Sequence, residues 1–228
     1  MLLTGFGPFP GTPVNATMML VPLIAREAQR AFPDIRLVTA ILPTEWDGAP
    51  QRIDTVIADH EPDVSLHFGV SSRATGYEIE TRGRNRRACN PDAAGCLPDA
   101  ETICAASPPH LLARLSAREI AARLRSRGIA ANVSRDAGGY LCNALLFHVL
   151  ARARRSGHPR KAGFIHVPQA LAVTPMRGLA RRGDCRLSWV DAVDGGVEIV
   201  AACLGRPGPQ VRPLRPGVRG EGAQIRAV

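Results

Sequence analysis

Ile129-Ala130-Ala131-Asn132-Val133-Ser134, Arg135-Asp136-Ala137-Gly138-Gly139, and Tyr140-Leu141-Cys142-Asn143-Ala144-Leu145-Leu146-Phe147-His148-Val149-Leu150-Ala151 follow one another without a break. The first piece alternates Ile129, Ala131 and Val133 with other residues, the period of a strand, and the last is apolar at helical spacing as far as Arg155. A glycine turn separates them. This places Cys142 in the first turn of a helix. There the unpaired N–H groups and the dipole favour a thiolate, and such sites lower a thiol pKa from about 8.5 to roughly 3.5–7.5. A thiol at that address can be a nucleophile. Free cysteine is also among the most buried residue types, so Cys142 taken alone would pass for a small core side chain.

The same alternation runs along the chain. Residues 1–4 read as the end of a strand close to the terminus. Asn15 caps a helix to about Arg30, with a kink or later start expected at Pro22. Ile35–Leu42 reads as a strand, Ala49–His60 as a helix, Val64–Phe68 as a strand, and Thr75–Thr81 as a less buried strand. Residues 84–109 lack periodicity and form a long loop. Ser116-Ala117-Arg118-Glu119 fits a capping box for a helix ending at Gly128. After strand 129–134 and helix 140–155 come strand 162–167 and a helix over 188–204, with Ser188 and Asp191 at its cap and Gly195-Gly196 weakening it. The pattern implies an α/β fold, a mainly parallel sheet with helices on both faces. Residues 1–204 form one domain, and 205–228, rich in Pro, Gly and Arg, read as a disordered tail. In open α/β sheets the active site lies at the carboxyl ends of the strands. Thr4–Phe9, the glycine turn before Cys142, and His166 in Gly163-Phe164-Ile165-His166-Val167-Pro168 all fall at such ends, which predicts that His166 and Cys142 meet.

Composition limits the alternatives. With 228 residues and 45% hydrophobic content the chain can build a substantial core. No apolar run approaches the roughly 20 residues of a membrane span, and Met1–Pro8 lacks the features of a signal peptide, so a cytoplasmic protein is expected. Six cysteines include no C-x-x-C pair; free thiols are the expectation, and Cys89, Cys96 and Cys104 lack the spacing of a zinc site. The net charge of +9 raises a nucleic-acid reading. However, Lys161 is the sole lysine, much of the excess lies at a helix end (Arg152, Arg154, Arg155, Arg160) and in the tail (Arg206, Arg212, Arg215, Arg219, Arg226), and aromatics do not interleave with the arginines. No specific nucleic-acid partner and no membrane is expected.

A cysteine nucleophile needs a base, and histidine suits. His60, His110 and His158 fall in turns, loops or helix ends. His148 points to another face of the Cys142 helix, and His67 lies within a strand. His166, on an apolar strand stopped by Pro168, is the best candidate. Glu78 and Glu80 in Thr75-Gly76-Tyr77-Glu78-Ile79-Glu80-Thr81 share one face of a strand, and spacing does not choose which of them orients the imidazole.

These residues carry a resemblance. Ser134–Asn143 resembles the S-x-x-A-G-x-Y-x-C-N signature of the pyroglutamyl peptidase I (pyrrolidone-carboxylate peptidase) family. Phe164–Pro168 looks like its histidine motif, Glu80-Thr81-Arg82-Gly83-Arg84-Asn85 is similar to its E-x-x-A/G-x-N motif, and Thr4–Phe9 with Asn15 resembles its T-G-F-x-P-F opening. The resemblance spans residues 2–204 and selects Glu80. It implies a three-layer α/β/α sandwich with a mainly parallel mixed sheet, of phosphorylase/hydrolase type, and a cytosolic thiol exopeptidase that removes an N-terminal pyroglutamyl residue without metal or cofactor and assembles as dimers or tetramers. Cys142 would be nucleophile, His166 base and acid, and Glu80 orienter, with Phe6 and Phe9 walling the lactam pocket. Two departures stand out. Val70-Ser71 replaces the substrate-contacting glutamine of many bacterial members, which puts Val70 in the pocket, and Pro91-Asp92-Ala93-Ala94-Gly95 replaces a P-D-N-x-G run. They leave open a thiol amidase of altered specificity; the charge leaves open a basic binding protein on the same fold.

Overall fold

The computed structural model describes residues 1–174, 176 and 183–209. In chain order the elements are β1 (Leu2–Phe6), α1 (Thr17–Ala31), β2 (Val38–Leu42), α2 (Gly48–His60), β3 (Val64–Ser71), β4 (Tyr77–Glu80), β5 (Arg82–Arg84), β6 (His110–Leu112), α3 (Ala117–Ser126), β7 (Ala131–Ser134), α4 (Leu141–Ser156), β8 (Lys161–Pro168), a 3-10 turn (Gln169–Val173) and α5 (Trp189–Leu204).

Six strands form one sheet in the order β2-β1-β3-β8-β4-β7. β1, β2, β3 and β8 are mutually parallel; β4 pairs antiparallel with β8, and β7 is parallel to β4. Period-two alternation divides the strand residues between two cores. Leu3, Leu66, Phe68, Ile79 and Ile165 pack with α1, α3 and α5; Leu2, Phe6, Leu42, Ala162 and Phe164 pack with α2 and α4. Each large apolar side chain buried this way contributes about 1.5–3 kcal/mol. The result is the expected three-layer sandwich.

Four local expectations change. β7 runs opposite to β8, so its carboxyl end is not at the end shared by β1, β3 and β8. The Cys142 segment reaches that end only because residues 135–140 carry the chain back before α4 begins. Alternation reveals a strand but not its direction. β4, expected to be less buried, lies inside the sheet between β8 and β7, and Tyr77, Ile79 and Glu80 are fully buried. Its carboxylates belong to the site rather than to solvent. Ser116 occupies the N-cap of α3 without a side-chain hydrogen bond, whereas Ser188 and Asp191 form the reciprocal box at α5. The long loop is flanked by a two-stranded ladder, β5 with β6, too short to register as periodicity.

Asn15 lies two residues before α1 and accepts the Thr17 N–H at 3.1 Å, and Pro22 sits within the helix without dividing it. At the start of the tail, Arg206 forms a bidentate pair with Asp34, at 2.7 and 2.5 Å. Arg212, Arg215, Arg219 and Arg226 lie outside the described residues. No helix among the described residues is long and apolar enough to cross a membrane.

Candidate active site

The otherwise apolar sheet face beneath α4 carries a polar group. Across β1, β3, β8 and β4 it presents Thr4, His67, Gly69, His166, Glu78 and Glu80. His166 is 5% exposed and Glu80 is fully buried. The imidazole Nδ1 lies 2.9 Å from Oε1 of Glu80. A carboxylate only accepts, so Nδ1 carries the proton and Nε2 is left for the thiol. Cys142, half-buried in the first turn of α4, is hydrogen-bonded to His166. Burial opposes a charged ring. The Cys142 sulfur and the hydrogen bonds the ring donates to Cys142 and Glu80 outweigh it and push the His166 pKa up to about 10. A buried carboxylate therefore holds the His166 ring in its charged form, facing the Cys142 sulfur.

Gly69 is what lets the sulfur approach. It is the register partner of His166, and a Cβ built on it would stand 2.8 Å from Cys142 Sγ and 2.7 Å from Cζ of Phe164. His67, one pair deeper, is fully buried with Nδ1 2.7 Å from Thr4 Oγ1 and Nε2 3.0 Å from Ser65 Oγ. Burial, helped by His148, drives its pKa down to about 3. A neutral ring with both nitrogens occupied cannot serve as the base, so selecting His166 over His67 is what the geometry supports. His148 bonds Asp54 at 3.0 Å on the α2 side.

The thiol opens into a cavity of about 240 Å³. Phe6, Phe9 and Val70 line it, together with Cys142 and His166, so all six residues singled out from the sequence are brought to one place or into its wall. Tyr140 is a wall residue the sequence reading did not single out: its ring lies 6.0 Å from Phe9 and edge-on to Trp46 at 5.2 Å. Its signal was present, an aromatic two residues before Cys142. Gln169, just past Pro168, also lines the cavity and donates to Thr12 Oγ1 at 2.7 Å. Glu78, Glu80 and His166 have donor atoms within 4.8 Å of one another. Nδ1 of His166 is already committed to Glu80.

A profile described as pyroglutamyl peptidase matches residues 1–194. The chain belongs to the pyroglutamyl peptidase family. A pyrrolidone-carboxylate peptidase of Chromobacterium violaceum is 34% identical over 169 residues, 74% of this chain and 77% of that protein. One from Streptococcus suis is 26% identical over 205 residues, 90% of this chain and 91% of that one. Among solved structures, a mutant pyrrolidone carboxyl peptidase from the hyperthermophile Pyrococcus furiosus superposes with a TM-score of 0.75 at 26% identity, covering 90% of this chain and 97% of that chain.

The family motifs acquire physical reasons here. Asn143, fully buried beside Cys142, accepts the Arg84 N–H at 2.7 Å and donates to the carbonyls of Arg84 and Arg86 at 2.9 and 2.7 Å. It clamps β5 to the start of α4. Gly83 permits the close approach, since a Cβ there would meet the Phe147 backbone at 2.8 Å. Asn85 does the same for the long loop, accepting from Cys104 N at 2.9 Å and donating to the carbonyls of Cys104 and Ser107. In the departing run, Asp92 is buried and accepts the N–H groups of Trp46, Ala94 and Cys96, each at 2.9 Å, and the Pro91 carbonyl accepts the Tyr140 hydroxyl at 3.0 Å. The altered loop is thus anchored against the pocket wall.

Asn143→Ala strips three backbone groups of their partners at once. Each buried unsatisfied group costs about 1–3 kcal/mol. A loss of at least about 2 kcal/mol is expected in urea unfolding, and a change under about 0.5 kcal/mol would show that the clamp is dispensable.

Proposed function

We propose that this chain is a cysteine exopeptidase that cleaves the amide bond after an N-terminal pyroglutamyl residue, with Cys142 as nucleophile, His166 as acid and base, and Glu80 as orienter. The observation that carries it is the buried Glu80–His166 hydrogen bond facing the Cys142 thiol at one end of an apolar cavity in a family of pyroglutamyl peptidases.

The thiolate attacks the pyroglutamyl carbonyl carbon, and the carbonyl electron pair moves to oxygen. The N-cap of α4, Tyr140, makes no side-chain cap hydrogen bond, so first-turn N–H groups near Cys142 serve the oxyanion. The His166 imidazolium gives its proton to the departing amine as the C–N bond breaks, leaving a thioester and a neutral ring. That ring takes a proton from water as the hydroxide so formed adds to the thioester carbon; the C–S bond then breaks, the electron pair leaves with the Cys142 sulfur, pyroglutamic acid is released, and the ring keeps its proton, ready for the next amine. Glu80 holds Nδ1 throughout.

Phe6, Phe9 and Val70 give the lactam a flat apolar slot. Such a slot suits a neutral ring and disfavours a free glutamate, whose charge is costly to desolvate. Val70 offers no polar contact, so other groups of the cavity wall, backbone or side chain, hold the lactam polar atoms. The domain carrying this chemistry spans residues 1–204, with a cytoplasmic location and assembly into dimers or tetramers as the companion proposals; light scattering tests the latter.

Incubation with a pyroglutamyl arylamide should release the amine, and alkylation confined to Cys142 should stop it, with chelator having no effect. Cleavage of other acyl amides with none of the pyroglutamyl substrate would replace the substrate assignment while leaving the nucleophile in place.

A further inference from the structure

Two glutamates of β4 face the same way, and the hydrogen bond to the imidazole uses only one oxygen between them. Glu80 Oε1 accepts from His166, whereas Oε2 is buried with no hydrogen-bond partner among the described residues. Glu78 is the register partner of His166 across the β4–β8 ladder, and an oxygen of each carboxyl and a ring nitrogen of His166 lie within 4.8 Å of one another.

We infer that Glu78 is the protonated member of a carboxyl pair with Glu80, donating its O–H to the otherwise unpartnered Oε2 and so acting as a positioning residue for the base. This rests on the reading of Glu80, Cys142 and His166 as the catalytic machinery. A buried carboxylate oxygen without a donor is costly, and two carboxylates sharing one site do not both ionise freely. Glu78 is only partly buried, so its side chain has room to turn and close to the 2.5–2.7 Å of a charge-assisted O–H···O⁻ bond.

The charges facing Glu78 come from three directions. Glu80 lies on its own strand, His166 on β8, and Arg73 on the turn between β3 and β4, where Arg73 also reaches Asp136 at 3.9 Å. On the β7 side its register partner is the uncharged Asn132. Burial is the largest influence and raises its pKa; His166 and Arg73 pull it down, Glu80 pushes it up, and the net shift is upward. One proton over two carboxyls leaves a single negative charge facing the imidazolium. It also gives Glu80 a donor on each side, which fixes the plane of its carboxylate and hence the direction of the His166 ring.

Two variants separate the proton of Glu78 from its charge. Glu78→Gln keeps a donor and removes the charge; Glu78→Ala removes both. The readouts are kcat and KM on a pyroglutamyl arylamide, and the pH profile of Cys142 alkylation by iodoacetamide. The alkylation is followed on the Cys142 peptide by mass spectrometry, because Cys89 and Cys96 are also exposed. It needs no substrate, so a wrong substrate assignment and a wrong carboxyl pair give different failures. Glu78→Gln is expected to stay within about twofold of the parent in kcat with an unmoved profile. Glu78→Ala should lose roughly tenfold in kcat at nearly constant KM, and the acid limb of alkylation should rise by about one pH unit, because a Glu80 carboxyl without its second donor no longer holds the His166 imidazolium squarely against the Cys142 sulfur. A parental profile in Glu78→Ala overturns the inference. So does a Glu78→Gln enzyme as impaired as Glu78→Ala, which would assign the role to the charge. Should Glu78→Ala fail to fold, the Glu78→Gln profile alone decides: unmoved supports the pair, shifted overturns it.

Discussion

Cys142→Ala is expected to lose at least about 10⁴-fold in kcat/KM on a pyroglutamyl arylamide while unfolding within about 1 kcal/mol of the parent. The sulfur sits at the mouth of the cavity rather than in the core, so removing it opens no large void. Cys89 and Cys96 are exposed, and neither they nor Cys104, Cys185 or Cys203 line the cavity, so no other thiol can substitute. Residual activity above about 1% of the parent would remove Cys142 from the mechanism.

The parent enzyme's pH behaviour follows from the same pair. His166 has a folded pKa raised above its ordinary value near 6.5 by the Cys142 sulfur and by Glu80. The stability this pairing contributes is complete below about pH 6.5. It is lost as pH rises through the folded value, about 10. Leaving-group protonation needs the imidazolium, so the alkaline limb of kcat should fall in that upper range. In Cys142→Ala the largest upward influence on the ring is gone, and an NMR titration of His166 should show a lower pKa than in the parent.

Gly69→Ala should be the most damaging change outside the triad, with kcat down by about 10²-fold or more. The added methyl meets Cys142 Sγ at 2.8 Å and the Phe164 ring at 2.7 and 2.8 Å. Phe164 is fully buried and its ring lies 4.9 Å from that of His166, so it cannot swing aside without moving the base. Displacement therefore falls on the thiol, and misplacing a reacting atom by about 1 Å costs on the order of 10²-fold. Overpacking adds a stability loss of about 1–3 kcal/mol. The kinetic loss should exceed what unfolding explains, seen as slowed Cys142 alkylation in fully folded protein. An alkylation rate equal to the parent's would show that the methyl is absorbed elsewhere.

Much of this site was readable before any coordinates. The change of period around residue 134, with glycines between, located Cys142 at a helix start, and a lone histidine near the end of an apolar strand located His166. Glu78 and Glu80 could not be separated by spacing, because both face the imidazole. The family resemblance chose Glu80, and the 2.9 Å bond at Nδ1 is the physical difference between the two. The direction of β7 was unreadable for a different reason. Alternation records which side chains are buried, and burial is the same for a strand running either way. Tyr77-Glu78-Ile79-Glu80 looked half-solvated because two of its four side chains are acidic, yet they face a polar interior. The caps show the same limit: Ser116 and Ser188 carry equivalent local patterns, and tertiary placement lets only Ser188 close its hydrogen bonds.

The strand order has a consequence for how activity arises. β8 lies between β3 and β4, yet it follows both in the chain by some ninety residues, so the sheet stays in two halves until β8 arrives. One half holds Gly69 and the aromatic wall, the other holds Glu80 and leads into the thiol segment. The strand that joins them is the one that bears His166. A growing or partly folded chain therefore possesses the sulfur and the carboxylate without the base, and the long sequence separations make this joining a slow, late step. Proteolytic competence is thereby tied to completion of the fold, and the reactivity of one thiol reports whether the last interior strand is in place.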